Sequence, residues 1–136
     1  MKANELMIGD WVTFADLEKD EAIIPIQIGS IEFGSVWAFI DHDKGADELD
    51  FEGIAPIHLM PEILEKNGWV KFQMYYRLRI DDTQYLEWYP HEGRLQRLYI
   101  HKDNSREVVF TVSGLSYTHE LQHALRLCGI DKEIVL

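Results

Sequence analysis

The sequence predicts an α+β fold: a small N-terminal β sub-domain over residues 1–59, then an α+β sub-domain over residues 60–136, packed as one unit. Three observations predict it. Short apolar stretches broken by Gly, Pro and Asp fill the first part of the chain. A period-two run, Val70–Ile80, is followed by further turn-separated strands. Near the end, apolar residues recur at helical spacing.

The elements follow in order. Ile8-Gly9-Asp10-Trp11-Val12 places a turn before a strand start. Ala22 to Phe33 reads as a strand in which Ile24, Ile26 and Ile28 alternate with Pro25 and Gln27. Pro25 has no N–H to give a ladder, so this strand belongs at an edge or a bulge. Ser35 to Ile40, after Gly34, is its hairpin partner. His42 to Gly53 reads as a polar acidic loop, and Gly53 to Leu59 closes the segment. Several short strands in this span suggest a small, open, SH3-like barrel.

Met60 to Gly68 is a short helix, with Pro61 suited to its first turn and Gly68 to its stop. Val70 to Ile80 reads as one half-buried strand. Val, Phe, Met, Tyr, Leu and Ile lie on one face, and Lys, Gln, Tyr and Arg on the other. Asp81–Gln84 turns into Tyr85–Tyr89, and Pro90–Gly93 turns again. Leu95–Ile100 and Glu107–Val112 form a hairpin around Lys102–Ser105. The expectation is a four-strand antiparallel meander with one apolar face, covered by the C-terminal helix. That helix runs from about Ser116, a capping residue, to Cys128. Tyr117, Leu121, Ala124, Leu125 and Cys128 form its apolar stripe. Gly129 then suits a left-handed ending that brings Ile130 to Leu125.

Composition narrows the function classes. With 46% hydrophobic residues in 136, the chain can build a core. Cys128 is the single cysteine, so no intramolecular disulfide forms, which fits a reducing compartment. The opening residues turn acidic too soon for a signal peptide. The longest apolar runs, such as Val36 to Ile40, fall far short of the roughly 20 residues of a membrane span. The reading is a soluble cytoplasmic protein with no membrane partner. Residues 1–65 hold 3 Lys/Arg and 15 Asp/Glu, whereas residues 66–136 hold 10 and 9, consistent with the net charge of −11. Such a first half repels a phosphate backbone, so nonspecific nucleic-acid binding is not expected.

Within Thr118–Gly129 lies His119-Glu120-Leu121-Gln122-His123, a literal H-E-x-x-H. Two histidines four apart share a helix face and can bind zinc, with the glutamate as general base. The alternative function is therefore a zinc-dependent hydrolase using His119, His123 and Glu120. Against it, Arg126 and Gly129 occupy the Gly and final His positions of the extended pattern. Both histidines are expected opposite the apolar stripe, on a polar helix face. Asp41 to Glu52 has an incomplete calcium-loop pattern, because Gly45 and Ala46 replace a ligand and the needed glycine. The acidic residues of 41–52 also raise the idea of a DNA mimic. No phosphate-binding glycine loop or esterase elbow occurs, and no cofactor is expected. Cys128 reads as a small core residue. Arg77, Arg79, Arg94, Arg97 and Lys102 interleave with Tyr75, Tyr85, Tyr89 and Tyr99. Among them Arg77, Arg79, Arg97, Tyr75 and Tyr99 are the candidate binding surface for a protein partner, since Tyr and Arg dominate binding hot spots. The competing reading pairs these arginines with the acidic first half.

Three segments carry a resemblance: Met1–Leu6 with Ile8–Val12, Ile54–Leu59, and His119 to Gly129. They resemble a family of short uncharacterised proteins of gut anaerobic bacteria and their prophages and mobile elements, across nearly the whole chain. Members commonly read His-Gln-Leu-Gln where this chain has His119-Glu120-Leu121-Gln122, so the resemblance implies that a base at position 120 is not part of the pattern. It implies a phage or mobile-element accessory protein, cytoplasmic in the host, and it brings no mechanism and no functional residues; the first function expected is a non-enzymatic interaction protein.

Overall fold

The computed structural model describes residues 1–15, 23–41 and 44–136. The chain is α+β and divides into two compact units. The first is Met1–His58 with Tyr117–His123; the second is Leu59–Ser116 with Ala124–Leu136.

In the first unit, β1 (Trp11–Ala15), β2 (Ile23–Ile31), β3 (Ser35–Asp41), β4 (Gly45–Asp50) and β5 (Ile54–Pro56) make one antiparallel sheet in the order β4-β3-β2-β1-β5. Short 3-10 turns occupy Ala3–Glu5 and Phe51–Gly53. Among the described residues the sheet is open, with β4 and β5 at its two ends. Alternate residues point inward: Val12, Ile26, Ile28, Val36, Ala38 and Ile54 are all nearly solvent-free. Burying each Ile or Val side chain of this kind contributes about 1.5–3 kcal/mol.

One expectation is met and one changes here. Pro25 lies inside β2, opposite Thr13 of β1. β3 pairs with β2 only from Gln27 onward, so at Pro25 the strand is locally an edge, which the missing N–H requires. The irregularity in that pairing comes later, between Ile28 and Ser30. The acidic stretch expected as a loop is strand β4. It tolerates Asp47, Glu48 and Asp50 because it is an edge strand with those residues exposed and only Leu49 buried. The calcium-like pattern loses its loop as a result, and its residues 42–43 lie outside the described residues.

In the second unit, α1 (Pro61–Lys66) precedes β6 (Val70–Lys71), β7 (Tyr76–Arg79), β8 (Gln84–Tyr89), β9 (Arg94–Ile100) and β10 (Arg106–Val112). They form a five-stranded antiparallel sheet, β10-β9-β8-β7-β6, not the four-strand meander expected. The difference lies in Val70–Ile80. The chain turns at 72–75, where the Phe72 N–H donates to the Tyr75 carbonyl at 2.8 Å, so the long run is a hairpin. Its first apolar residues are accordingly exposed (Val70 59%, Met74 61%), whereas Tyr76 and Leu78 beyond the turn are buried. A period-two pattern cannot distinguish one long strand from two short ones whose turn preserves the alternation.

α2 (Thr118–Leu127) ends as expected. Gly129 has φ +69°, and the Ile130 N–H reaches the Leu125 carbonyl at 2.9 Å, a Schellman closure. This helix does not serve the second sheet alone. Its residues 118–123 belong to the first unit, and only Ala124 onward belongs to the second. In the second unit Ile63 and Leu64 of α1, Trp69, Leu115, Leu125 and Ile134 are buried beside the sheet's own apolar residues. The C-terminal segment is tied down by Asn67. Its amide donates to the Val135 carbonyl at 2.7 Å, and its oxygen accepts the Val135 N–H at 2.8 Å.

Candidate functional site

Register decides which side chains of the second sheet share a face. Tyr76 stands opposite Trp88, and Trp88 opposite Leu95. Arg77 stands opposite Glu87, and Glu87 opposite Gln96. Directly opposed residues lie on the same side and neighbours alternate. Arg77, Arg79, Tyr85, Glu87, Tyr89 and Gln96 therefore share one face. Leu78, Leu86, Leu95, Arg97 and Tyr99 share the other.

The centre of the first face is Glu87, whose side chain has no solvent exposure. One carboxylate oxygen accepts from Arg77 Nε at 3.1 Å and Nη2 at 2.7 Å. The other accepts from Arg106 at 2.6 Å and from the Tyr89 hydroxyl at 3.1 Å. Burial alone would raise the pKa of this carboxyl. The Arg77 hydrogen bonds and the charges of Arg106 and Arg77 outweigh burial and hold it below the usual range.

Arg77 is in turn surrounded by rings. Its guanidinium lies 5.1 Å from the centre of Phe72, 5.7 Å from Tyr75 and 5.0 Å from Tyr85. A line of aromatic contacts continues outward. Phe72 stacks on Tyr75 at 5.0 Å, Tyr75 meets Tyr89 at 5.2 Å, and Arg94 lies over Tyr89 at 4.4 Å. Arg94 Nε is 2.7 Å from a Glu92 oxygen without an aligned hydrogen bond, so this is a charge contact only. Arg79 pairs with exposed Asp82. The carboxylates that meet Arg77, Arg79 and Arg94 are thus Glu87, Asp82 and Glu92 of the same sheet and its turns.

Arg97 and Tyr99 do not join this face. Arg97 donates to the Gln84 side chain at 2.9 Å and to the Cys128 carbonyl at 3.2 Å. Tyr99 packs edge-on against His101 at 4.6 Å. The five residues expected to form one surface are split by strand parity: Tyr75, Arg77 and Arg79 on one side, Arg97 and Tyr99 on the other. Cys128 is half-buried, and burial pushes its thiol pKa up against the opposing charge of Arg97.

The H-E-x-x-H segment is built differently from a polar helix face. His119 is only 6% exposed, and Thr118 and Gln122 are also buried. Glu120 accepts the Tyr117 N–H at 3.0 Å, which satisfies a free donor at the helix start. Gln122 acts as a substitute strand. Its oxygen accepts the Trp11 N–H at 2.9 Å, and its amide donates to the Gly9 carbonyl at 2.9 Å. Gly9 holds this position with φ +87°, a left-handed conformation. His123 Nε2 lies 2.7 Å from an oxygen of solvent-free Asp10, which also accepts the Met7 N–H at 2.7 Å. Since an ionised carboxylate only accepts, His123 carries a proton on Nε2. Among the described residues no three His, Cys, Asp or Glu side chains are gathered as a metal-binding set. Among them, too, no helix is long and apolar enough to cross a membrane.

Sequence reasoning missed Glu87, Arg106, Asp10 and Gln122. For Glu87 a signal existed, because it is the lone acid in the aromatic strand Gln84–Tyr89. Compared with protein-family models, curated proteins and solved structures, the chain shows no match.

Proposed function

We propose that the chain is a non-enzymatic interaction protein that engages a protein partner through the Tyr75/Arg77/Arg79 face of its second sheet, with Phe72, Tyr85, Tyr89 and Arg94. The observation that carries this reading is the state of Arg77. Its side chain is 23% exposed, yet Glu87 and three aromatic rings hold it. An arginine immobilised before binding loses little entropy when a partner meets its open edge. Phe72 (41% exposed) and Met74 add apolar contact area beside it.

The test is capture of a host or phage protein by the full chain and by a Phe72→Ala/Arg79→Glu variant, with Tyr99→Ala on the opposite face as control. Arg77 is left intact because it neutralises Glu87. A partner held by the wild type and the control and lost by the variant is the expected result. Equal capture by all three overturns the reading.

Two finer readings accompany it. The first unit is proposed to be SH3-like. The order β4-β3-β2-β1-β5, with a 3-10 turn leading into β5, supports this. The chain is proposed to be a cytoplasmic accessory protein of phage or mobile-element origin. In support, two of the segments that carry the family resemblance meet in the first unit, where Gln122 and His123 bind Gly9, Asp10 and Trp11.

A further inference from the structure

The first unit contains a cluster of titratable groups that the interaction face does not use. Asp10 is solvent-free and His123 donates to it at 2.7 Å. The His123 ring meets His119 edge-on at 5.6 Å. On its other side His119 lies flat against Tyr117 at 5.9 Å, and Tyr117 touches His58 at 4.9 Å. His119 is 6% exposed, and its buried Nδ1 has no hydrogen-bond partner. Among the described residues, the other charged groups that act on it are Glu120 on its own helix, which accepts the Tyr117 N–H, and Glu5 of the first 3-10 turn, which accepts the Lys2 N–H at 2.9 Å.

The arrangement therefore sets two neighbouring imidazoles beside a buried carboxylate whose oxygen already accepts from His123. We propose that Asp10, His123 and His119 form an acid-operated latch: His123 occupies the Asp10 oxygen, and a proton taken up by the neighbouring His119 releases the Tyr117–His123 segment from Gly9–Trp11 of the same unit. A neutral His119 fits its site, whereas a charged one is buried beside His123 with an unmet donor. Burial pushes the His119 pKa below its ordinary 6.5. Asp10, Glu120 and Glu5 oppose that shift, and His123 reinforces it. The sign follows. Above pH 6.5 the ring is neutral whether the segment is docked or free, and docking is complete. As pH falls below 6.5 the free form takes up the proton first, so docking weakens until the docked form protonates as well.

The Trp11 amide reports the latch, because its N–H donates to Gln122. Hydrogen exchange is measured on the full chain from pH 7.5 to 5 and corrected for the intrinsic exchange rate. The expected result is an opening constant for Trp11 that rises below pH 6.5, approaching about tenfold per pH unit for one proton, while β8 amides of the second unit keep theirs. His119→Gln removes the rise. His123→Gln lowers protection at every pH and keeps the rise. A flat profile in the wild type, or an unchanged rise in His119→Gln, overturns the latch. If His119→Gln does not fold, the wild-type His119 ring titration followed by NMR decides. A midpoint below 6.5 that coincides with the Trp11 opening supports the latch, and a midpoint at or above 6.5 overturns it.

Discussion

The two units are both five-stranded antiparallel sheets, and each buries a carboxylate with no solvent exposure, yet they neutralise it differently. The first unit holds 3 basic residues, all lysine, against 14 acidic ones, and the second holds 10 of each, six of its cations being arginine. In the second, Glu87 meets Arg77 and Arg106, cations that keep their charge at any pH a protein experiences. In the first, which lacks arginine, the oxygen of Asp10 accepts a backbone N–H and the N–H of His123, whose ring stands edge-on to His119. The contrast teaches that the pH response around a buried acid is set by the titratable groups packed near it. Glu87 is insulated until the carboxylate range, whereas the Asp10 cluster responds in the histidine range.

The largest expected effect breaks the insulated network. Arg77→Met removes the bidentate partner of a buried charge and should destabilise the second unit by about 3 kcal/mol, read by denaturant unfolding. The same variant sharpens the comparison through pH. Because the folded pKa of Glu87 lies below its ordinary 4.5, its contribution is present above 4.5 and is lost as pH falls through the folded value. Wild-type unfolding of the second unit should thus show no loss from this network between pH 7 and 5. Arg77→Met should become more stable relative to wild type as the pH approaches 4.

A smaller effect tests the first unit. Gln122→Leu keeps the volume near but removes the acceptor of the Trp11 N–H and one of two donors to the Gly9 carbonyl, which keeps the Gln27 amide, and should cost about 1–2 kcal/mol in thermal or denaturant unfolding. Unchanged stability would mean that water replaces the amide without loss. The smallest expected effect concerns Glu120. Glu120→Ala removes the bond to the Tyr117 N–H and should cost about 1 kcal/mol or less, the scale of a helix cap. Glu120→Gln should recover most of it, since a glutamine oxygen still accepts.

The legible part of the fold was local. The β2–β3 hairpin, the turns at Asp81–Gln84, Pro90–Gly93 and Lys102–Ser105, and the Schellman ending at Gly129 were all readable, because each follows from alternation or turn chemistry within a few residues. The candidate site was legible only by composition. A count of Tyr and Arg picks out Tyr75, Arg77 and Arg79 but groups Arg97 and Tyr99 with them, because it carries no strand parity. A helical stripe puts His119 and His123 on a polar face, because it says what is apolar and not what the opposite side meets.

By itself the sequence determined an α+β protein, most element positions, the uneven charge and the ending of its last helix, since these depend on side-chain periodicity and on backbone preferences of neighbouring residues. Tertiary structure decided that Tyr117–His123 joins the first unit, that Gln122 and His123 bind a turn more than a hundred residues away, and that Glu87 is buried between arginines of other strands. Those outcomes depend on which distant groups become neighbours and on the cost of leaving a buried charge or N–H unpaired, and no local pattern encodes either.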